Sequence, residues 1–497
     1  MAIVITGDIT TFDPSRPHID DGAVFVSDEG TIEAVREADQ QPPSGYENAP
    51  RVVSEGVVYP GLTDLHNHLL YNFRSLWVPP RTEPYETRNQ WPDAPTYATD
   101  IKAPANVIGS AAGKAMLKYA EVKAIVGGAT ATQGSAKLSR PYEGWLIRNI
   151  EFEKFGGTEQ LVYQSVITLG GEELDDRSQK MAQGRPFIYH LCEGTSPNLL
   201  REFHDVRDHG CLQPRLVAIH STALGRGEFD EWAPQGGSIV WSPLSNLWLY
   251  RATTNVVDAA EANIRICLGA DWGPSGSKNI LGELKVADIW NRNHLDGSFT
   301  DRQLCLMVTA NPAAALGWED RLGTLRPGHL ADLIVVQRRN DDAYRNLIEA
   351  TERDVWFVMV GGRPLYGRPH LMRAAGATSA EPIYVAGIRR AISLVDSTIP
   401  DADMTWAEVV TALNAVRSDP VGLVETSLSF AEGEEPLRMI PDMPGDVMGA
   451  MDAAFSLTET VIPPIDTIHH DVAFFELLER GAIVDGLLDD MRAYYLG

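Results

Sequence analysis

Basic side chains are in short supply in this 497-residue chain: 42 Lys and Arg stand against 68 Asp and Glu, a formal net charge of −26. A surface of that sign repels phosphate backbones and anionic headgroups, so neither nucleic acid nor membrane is an expected partner. Cysteine is scarce too. The four present, Cys192, Cys211, Cys267 and Cys305, are scattered without a CxxC pair, which argues against a disulfide framework and suits a reducing cytoplasm. No apolar run reaches the length of a bilayer span. The opening MAIVITGDITTFDP has no basic leader and Asp8 interrupts its apolar stretch, so no signal peptide is expected and the expected location is cytoplasmic. What is present is an ordinary globular balance, 44% hydrophobic and 22% charged, in a chain long enough for several domains.

Residues 2–58 read as short β segments, AIVITG, AVFVSD and TIEAVRE, broken by Asp/Gly turns. Residues 322–366 have the same character. Between these flanks, strand-like apolar runs alternate with helical patterns such as AAGKAMLKYAEVKAIVGG, the signature of parallel βα units. The fold class expected is therefore α/β: a (β/α)8 TIM-type barrel over 59–321, and a small composite β domain from 1–58 and 322–374. From about Ala375 the chain becomes acidic and mainly helical, and 375–497 is read as an accessory C-terminal region. Its amphipathic helices need a surface, either the barrel or a second subunit, so a homo-oligomer (dimer or larger) is expected.

Five strand-like runs end on residues able to bind metal or move protons. VVYPGLTDLHNH ends in His66 and His68, which point to one side of a strand and can converge on one ion. RPFIYHLCEG carries His190 and, three residues on, Glu193; RLVAIH ends at His220; SIVWSPLSN ends in Ser242, Ser245 and Asn246; IRICLGAD ends at Asp271. Strand C-termini are where barrel enzymes keep their catalytic groups. Imidazoles with a carboxylate suit a divalent ion whose bound water ionises near neutral pH. Attack on a trigonal carbon then needs a base and an acid, tasks for which Asp271, His220 and Glu193 are chemically suited.

Over approximately residues 2–366 the sequence resembles the amidohydrolase superfamily, in its cytosine-deaminase-like and triazine-hydrolase-like branch. PGLTDLHNH, HLCEG, LVAIHS, SPLSNLWL, LGADWGPSGSKNIL and NPAAALGWEDRLGTLRPGHLADLIVV match its elements in order. The resemblance implies metal ligands at His66, His68, His190 and Asp271, Glu193 as proton shuttle and His220 as the group polarising the water. Asp271 would also accept the water proton. It implies one divalent ion, zinc in preference to iron or manganese. Asn67, Ser242 and Ala270 depart from the family pattern and border the pocket. Other branches bridge two ions with a carboxylated lysine; Lys137 lies several residues past its apolar run and reads as a loop residue or substrate contact.

The activity expected is metal-dependent hydrolysis of a C–N bond, by deamination or amide-type cleavage, of a small, planar or heterocyclic substrate. Displacement of another leaving group, as in dechlorination, and a catalytically silent ligand-binding relative are the alternatives. The stretch after His68 interleaves Tyr71, Phe73, Trp77, Tyr85, Trp91 and Tyr97 with Arg74, Arg81 and Arg88. By position it lies over the barrel mouth, where the arginines leave room for an acidic group on the substrate. His469 and His470 read as a capped turn or helix start, and His204 and His209 as the surface of a helix.

Overall fold

The structure, a computed structural model, describes residues 2–81, 83–134, 137–428, 436–440, 462–481 and 486–496. The chain opens with β1 (Ile3–Thr10), β2 (His18–Val26), β3 (Ile32–Glu37) and β4 (Arg51–Pro60). In β4 exposed and buried residues alternate from Arg51 to Gly56, and the strand is wholly buried from there to Pro60. Through Gly61 it runs into β5 (Leu62–Asp64), so the outer sheet delivers the chain straight to the first site strand. β6 (Ala129–Thr132), a short β7 (Lys137–Leu138), β8 (Arg148–Asn149), β9 (Tyr163–Ser165), β10 (Phe187–Leu191), β11 (Leu216–His220), β12 (Ser238–Trp241) and β13 (Arg265–Leu268) follow, with helices between most of them. The chain then returns outward as β14 (Leu333–Val336), β15 (Val355–Val360), β16 (Arg363–Gly367), β17 (Glu381–Val385) and β18 (Ile388–Ile392).

Two parallel sheets carry the site strands. One has the order β13-β12-β11-β10-β9 and the other β5-β6-β8. They meet edge to edge: Leu65 N donates to the Leu268 carbonyl at 3.3 Å, Asp271 N donates to the His66 carbonyl at 2.9 Å, and Asn67 forms a parallel bridge with Asp271. The central strands β10, β11 and β12 are mostly apolar and buried from end to end, as parallel strands covered on both faces must be.

The outer sheet has nine strands in the order β17-β18-β16-β15-β14-β4-β1-β2-β3, drawn from both flanks of the chain. Its last hairpin, β17–β18, lies in the stretch after residue 375 that the sequence presents as mainly helical; the short segments EPIYV and IRRAI pair with each other, and β18 continues the ladder from β16. The Gly/Pro-rich segment that starts at Pro436 lies partly outside the described residues. Its Met439–Ile440 forms β19, which pairs with β7.

The end of the chain is packed, not appended. Phe474, Phe475, Leu478, Met491 and Tyr495 form one buried cluster with Leu244, Trp248, Val286 and Ile289. Into it reaches Lys278, from the loop after Asp271. Its Nζ donates to the Ile468 carbonyl at 2.5 Å and lies 3.9 Å from the centre of the Tyr495 ring. Burial pushes the Lys278 ammonium down, and Glu352 and Asp471 counter this. His469 sits in the 3-10 helix Ile465–His470, 4.0 Å from Glu352. His204 is exposed, and His209 pairs with Asp175 at 2.8 Å. No helix among the described residues is long and apolar enough to cross a membrane.

Tyr495→Ala removes a buried ring and the cover over Lys278. It is expected to destabilise the fold by roughly 3 kcal/mol, the scale of large-to-small core changes, read as a lowered denaturant midpoint. An unchanged midpoint would mean that the final helix is not docked.

Candidate active site

The edge-to-edge seam of the two parallel sheets is also where the site begins. Asp64 ends β5, is buried, and accepts from Asn67 Nδ2 at 2.8 Å and from Ala270 N at 2.9 Å. This ties the loop after β5 to the loop after β13, and so brings His66 to Asp271 (Nε2 to Oδ1, 3.1 Å). Burial pushes Asp64 up to about 6, against its hydrogen bonds. His68 Nε2 lies 3.6 Å from the same Asp271 oxygen. His190 enters from β10 with its ring centre 4.7 Å from that of His66, and His220 enters from the end of β11 at 5.1 Å. The backbone turns left-handed at Cys192 (φ 50°), His220 (φ 63°), Ser221 (φ 53°) and Asp271 (φ 60°). Non-glycine residues adopt that conformation only when their surroundings impose it, and here it recurs at the strand ends that carry the site.

All the residues expected at the site come together: His66, His68, His190, Glu193, His220 and Asp271 line or floor one region, all buried except the partly exposed His68. Two overlapping groups have donor atoms within 4.8 Å of one another, His66 with His68 and Asp271, and His66 with His190 and His220. His66 is common to both. Among the described residues the buried Nδ1 of His190 has no hydrogen-bond partner, and the buried Nε2 of His66 meets only the Asp271 carboxylate, at 3.1 Å. Buried imidazole nitrogens so placed, next to a carboxylate, are what a divalent cation would satisfy, so the donor set fits one. Lys137 does not belong to it: its side chain is exposed on β7, opposite Ile440.

Electrostatics divide the groups. Burial pushes Asp271 up, but His66, His220 and His68 together hold it well below the ordinary carboxylate range. Burial works against the His66 imidazolium, yet Asp271 and a bond to Gln133 raise it above its usual value. His190 is driven well below its usual value by burial and by the neighbouring imidazoles, and His220 is lowered by burial against the pull of Glu193 and Asp271. Both are therefore neutral at pH 7, the form in which imidazole binds metal or accepts a proton.

Sequence patterns had no means of marking several supporting residues. His66 Nδ1 lies 3.1 Å from Gln133 Oε1, and Gln133 Nε2 donates to Glu151 Oε1 at 2.8 Å. Gln133 follows an apolar strand end, as the expected residues do, but glutamine is not a ligand type. Its neighbour Gly134 (φ 94°) has no room for a side chain, because a Cβ would sit 1.4 Å from the Asn67 carbonyl. Of the Ser/Asn cluster, Asn246 reaches His220 Nδ1 at 3.0 Å, while Ser245 bonds Ser275. Tyr250 donates to Glu193 Oε1 at 2.5 Å.

Above these groups lies a cavity of about 170 Å3. One wall is aromatic: Tyr71, Trp91, Tyr97 and Trp272 contact each other, with Trp91 and Trp272 4.9 Å apart. The stretch after His68 does cover the site, and an antiparallel bridge from Thr87 to Gly194 holds it there. Its arginines do not offer the anion cradle expected of them. Arg88 is paired with Glu202 at 2.9 and 3.0 Å, Arg81 donates to the Trp248 and Leu249 carbonyls, and Arg74 does not line the cavity.

Comparisons with known proteins find similar chains among hydrolases and deaminases. The amidohydrolase family model matches residues 199–365, which include His220 and Asp271. A 5-methylthioadenosine/S-adenosylhomocysteine deaminase of Syntrophobacter fumaroxidans is 27% identical over 382 residues, 68% of this chain and 84% of that one. Another such deaminase, 28% identical, matches over only 33% of its length. Among solved structures, an adenosine deaminase of Xanthomonas campestris with bound zinc is similar at a TM-score of 0.57 and 18% identity, over 73% of this chain and 92% of that one. Atrazine chlorohydrolase of Arthrobacter aurescens, complexed with zinc, is similar at 0.56 and 19% identity, over 76% and 99%. At these identities the structures share the fold.

Gln133→Leu leaves His66 in place but removes the acceptor that fixes its tautomer. Metal affinity is expected to fall ~10- to 100-fold, the usual effect of losing a partner behind a metal ligand, as measured by chelator competition. Unchanged affinity would show that Gln133 does not orient His66.

Proposed function

The chain belongs to the amidohydrolase superfamily, and we propose that it is a metal-dependent deaminase that exchanges an amino group on a small, planar, uncharged heterocycle for the oxygen of water. The observation that carries this reading is the convergence of His66, His68, His190, His220 and Asp271, with Glu193 beside them at the floor of an aromatic-walled cavity. The parallel strands β5, β6 and β8–β13 are read as a closed (β/α)8 barrel with this point at its C-terminal mouth, an arrangement supported by the bridge between Asn67 and Asp271. The composite β domain (1–58 and 322–374), the barrel (59–321) and the C-terminal region (375–497) remain our division of the chain, with β17–β18 now added to the outer sheet.

One divalent ion would be held by His66, His68, His190 and Asp271, and the zinc in the similar adenosine deaminase and chlorohydrolase structures supports zinc. When bound, such an ion supplies Lewis acidity and a water that ionises near neutral pH. The protein does the rest. Asp271, kept anionic by its histidine neighbours, is poised to take the proton of the attacking water. Neutral His220, held through Nδ1 by Asn246, presents Nε2 to the site, 3.7 Å from Glu193 Oε2 and 3.8 Å from Asp271 Oδ2. Glu193 moves a proton to the departing nitrogen. The C–O bond forms, the C–N bond breaks, and ammonia leaves with the proton delivered to it.

The substrate class follows from the walls. Tyr71, Trp91, Tyr97 and Trp272 suit a flat ring. Arg88, the cation at the cavity, is already paired with Glu202, and the remaining carboxylates there are Glu193 and Asp271. Among the described lining residues no unpaired cation is left to receive an anionic substituent. The deaminase names of the relatives support loss of an amino group.

Ammonia release from a panel of adenine, guanine, cytosine, 2-amino-1,3,5-triazine and 5′-methylthioadenosine tests this. Turnover of free heterocycles, with the nucleoside poor, is the expected result. Turnover of the nucleoside alone would refute the substrate class, and no release from any amine by zinc-loaded protein would count against deamination. Glu193→Gln is expected to keep fold and metal while losing activity ~10²-fold or more, the scale of a general acid–base group. His66→Ala should lose the metal first. Metal loss in Glu193→Gln would make Glu193 a ligand.

A further inference from the structure

One buried hydroxyl has a part that neither the family resemblance nor the chemistry above assigns. We propose that Tyr250 is a positioning residue that fixes the Glu193 carboxylate with one oxygen turned to the reacting groups. The proposal rests on the reading of Glu193 as proton carrier.

Glu193 is not held by its own strand. It lies beyond the end of β10, between Cys192 (φ 50°) and Gly194 (φ 133°), both outside extended geometry. A carboxylate on such a loop has several rotamers to choose from. Its backbone is pinned by the stretch after His68, since Arg88 N donates to the Glu193 carbonyl at 3.2 Å, but that bond leaves the side chain free. Tyr250 supplies the missing constraint. Its hydroxyl donates to Oε1 at 2.5 Å, while Oε2 lies on the His220 side, 3.7 Å from Nε2. A proton shuttle needs one oxygen free to accept and release, and tethering the other sets where that free oxygen points.

The tether is rigid because Tyr250 ends the helix Pro243–Tyr250, which is fixed at several places. Leu244 N donates to Glu283 Oε1 at 3.0 Å, Ser245 bonds Ser275 at 2.7 Å, and Trp248 Nε1 donates to the Trp77 carbonyl at 2.8 Å. Asn246 and Tyr250 are four residues apart, hence on one face. From that face Asn246 holds His220 and Tyr250 holds Glu193, so one helix sets both groups against each other. Tyr250 is 2% exposed and does not line the cavity, so its effect on the reaction runs through Glu193 and not through substrate contact. Burial and the adjacent Glu193 push the phenol well above its ordinary value, which keeps the hydroxyl a donor.

Tyr250→Phe keeps the ring and deletes the hydroxyl. In zinc-loaded protein, with the panel amine turned over fastest as probe, kcat is expected to fall about tenfold while KM stays within about twofold. Added to Glu193→Gln, the same change should cause no further loss. Crystal structures of the zinc-loaded wild type and Tyr250→Phe give a readout that needs no turnover: Glu193 should leave its wild-type orientation while the four ligands keep theirs. An unchanged kcat, an additive loss in the double variant, or an unmoved carboxylate would overturn the proposal. A fully active Glu193→Gln would instead remove Glu193 from the mechanism, and this inference with it; an inactive Glu193→Gln beside a normal Tyr250→Phe removes Tyr250 alone.

Discussion

Six ionisable side chains, His66, His68, His190, Glu193, His220 and Asp271, share one small and mostly buried volume, and the rest of the molecule depends on how that is made tolerable. Charged groups taken out of water are costly unless they are paired and hydrogen-bonded. The solution is a division of charge. Asp271 stays anionic among imidazoles, His190 and His220 stay neutral, and His66 stands between Asp271 on one side and Gln133 on the other. A divalent cation would complete that balance, because it would take up both the anionic carboxylate and the imidazole nitrogens turned to it.

Rigidity follows from the same constraint. Two separately paired parallel sheets are sewn together at Asp64, Asn67 and Asp271, where His66 and Asp271 meet. The loop after Asp271 is held in turn by Lys278 under the C-terminal segment, and the helix Pro243–Tyr250 is held from both ends. The C-terminal helices thus belong to the support of the site. The stretch after His68 belongs to it as well, since Arg88 N binds the Glu193 carbonyl and Thr87 bridges Gly194 while their neighbours wall the cavity.

Much of this was legible in the sequence, and for a clear reason. A strand-end histidine or aspartate after an apolar run is a local signal, and His66, His68, His190, His220 and Asp271 all carry it. Glu193 carries it through its spacing from His190. The parallel strands were readable from their alternation with helices, and the two flanks of the outer sheet from their turns. What could not be read is what depends on contact across the fold. Tyr250, four residues past Asn246, reads in the sequence only as one more aromatic beside a site strand, and nothing there pairs its hydroxyl with Glu193. Gln133 has no ligand chemistry of its own. Arg88 looked available for an acidic substrate because its partner, Glu202, lies 114 positions away. The β17–β18 hairpin is too short to show a period.

The central claim is that a single metal ion sits among His66, His68, His190 and Asp271, with Glu193 and His220 outside its coordination. Crystals grown with zinc and measured on either side of the zinc absorption edge test it most directly. The account predicts one anomalous peak per chain, within coordinating distance of those four side chains and no others from the protein. Two peaks, or a single peak coordinated by Glu193 or by His220 in place of Asp271, would contradict it.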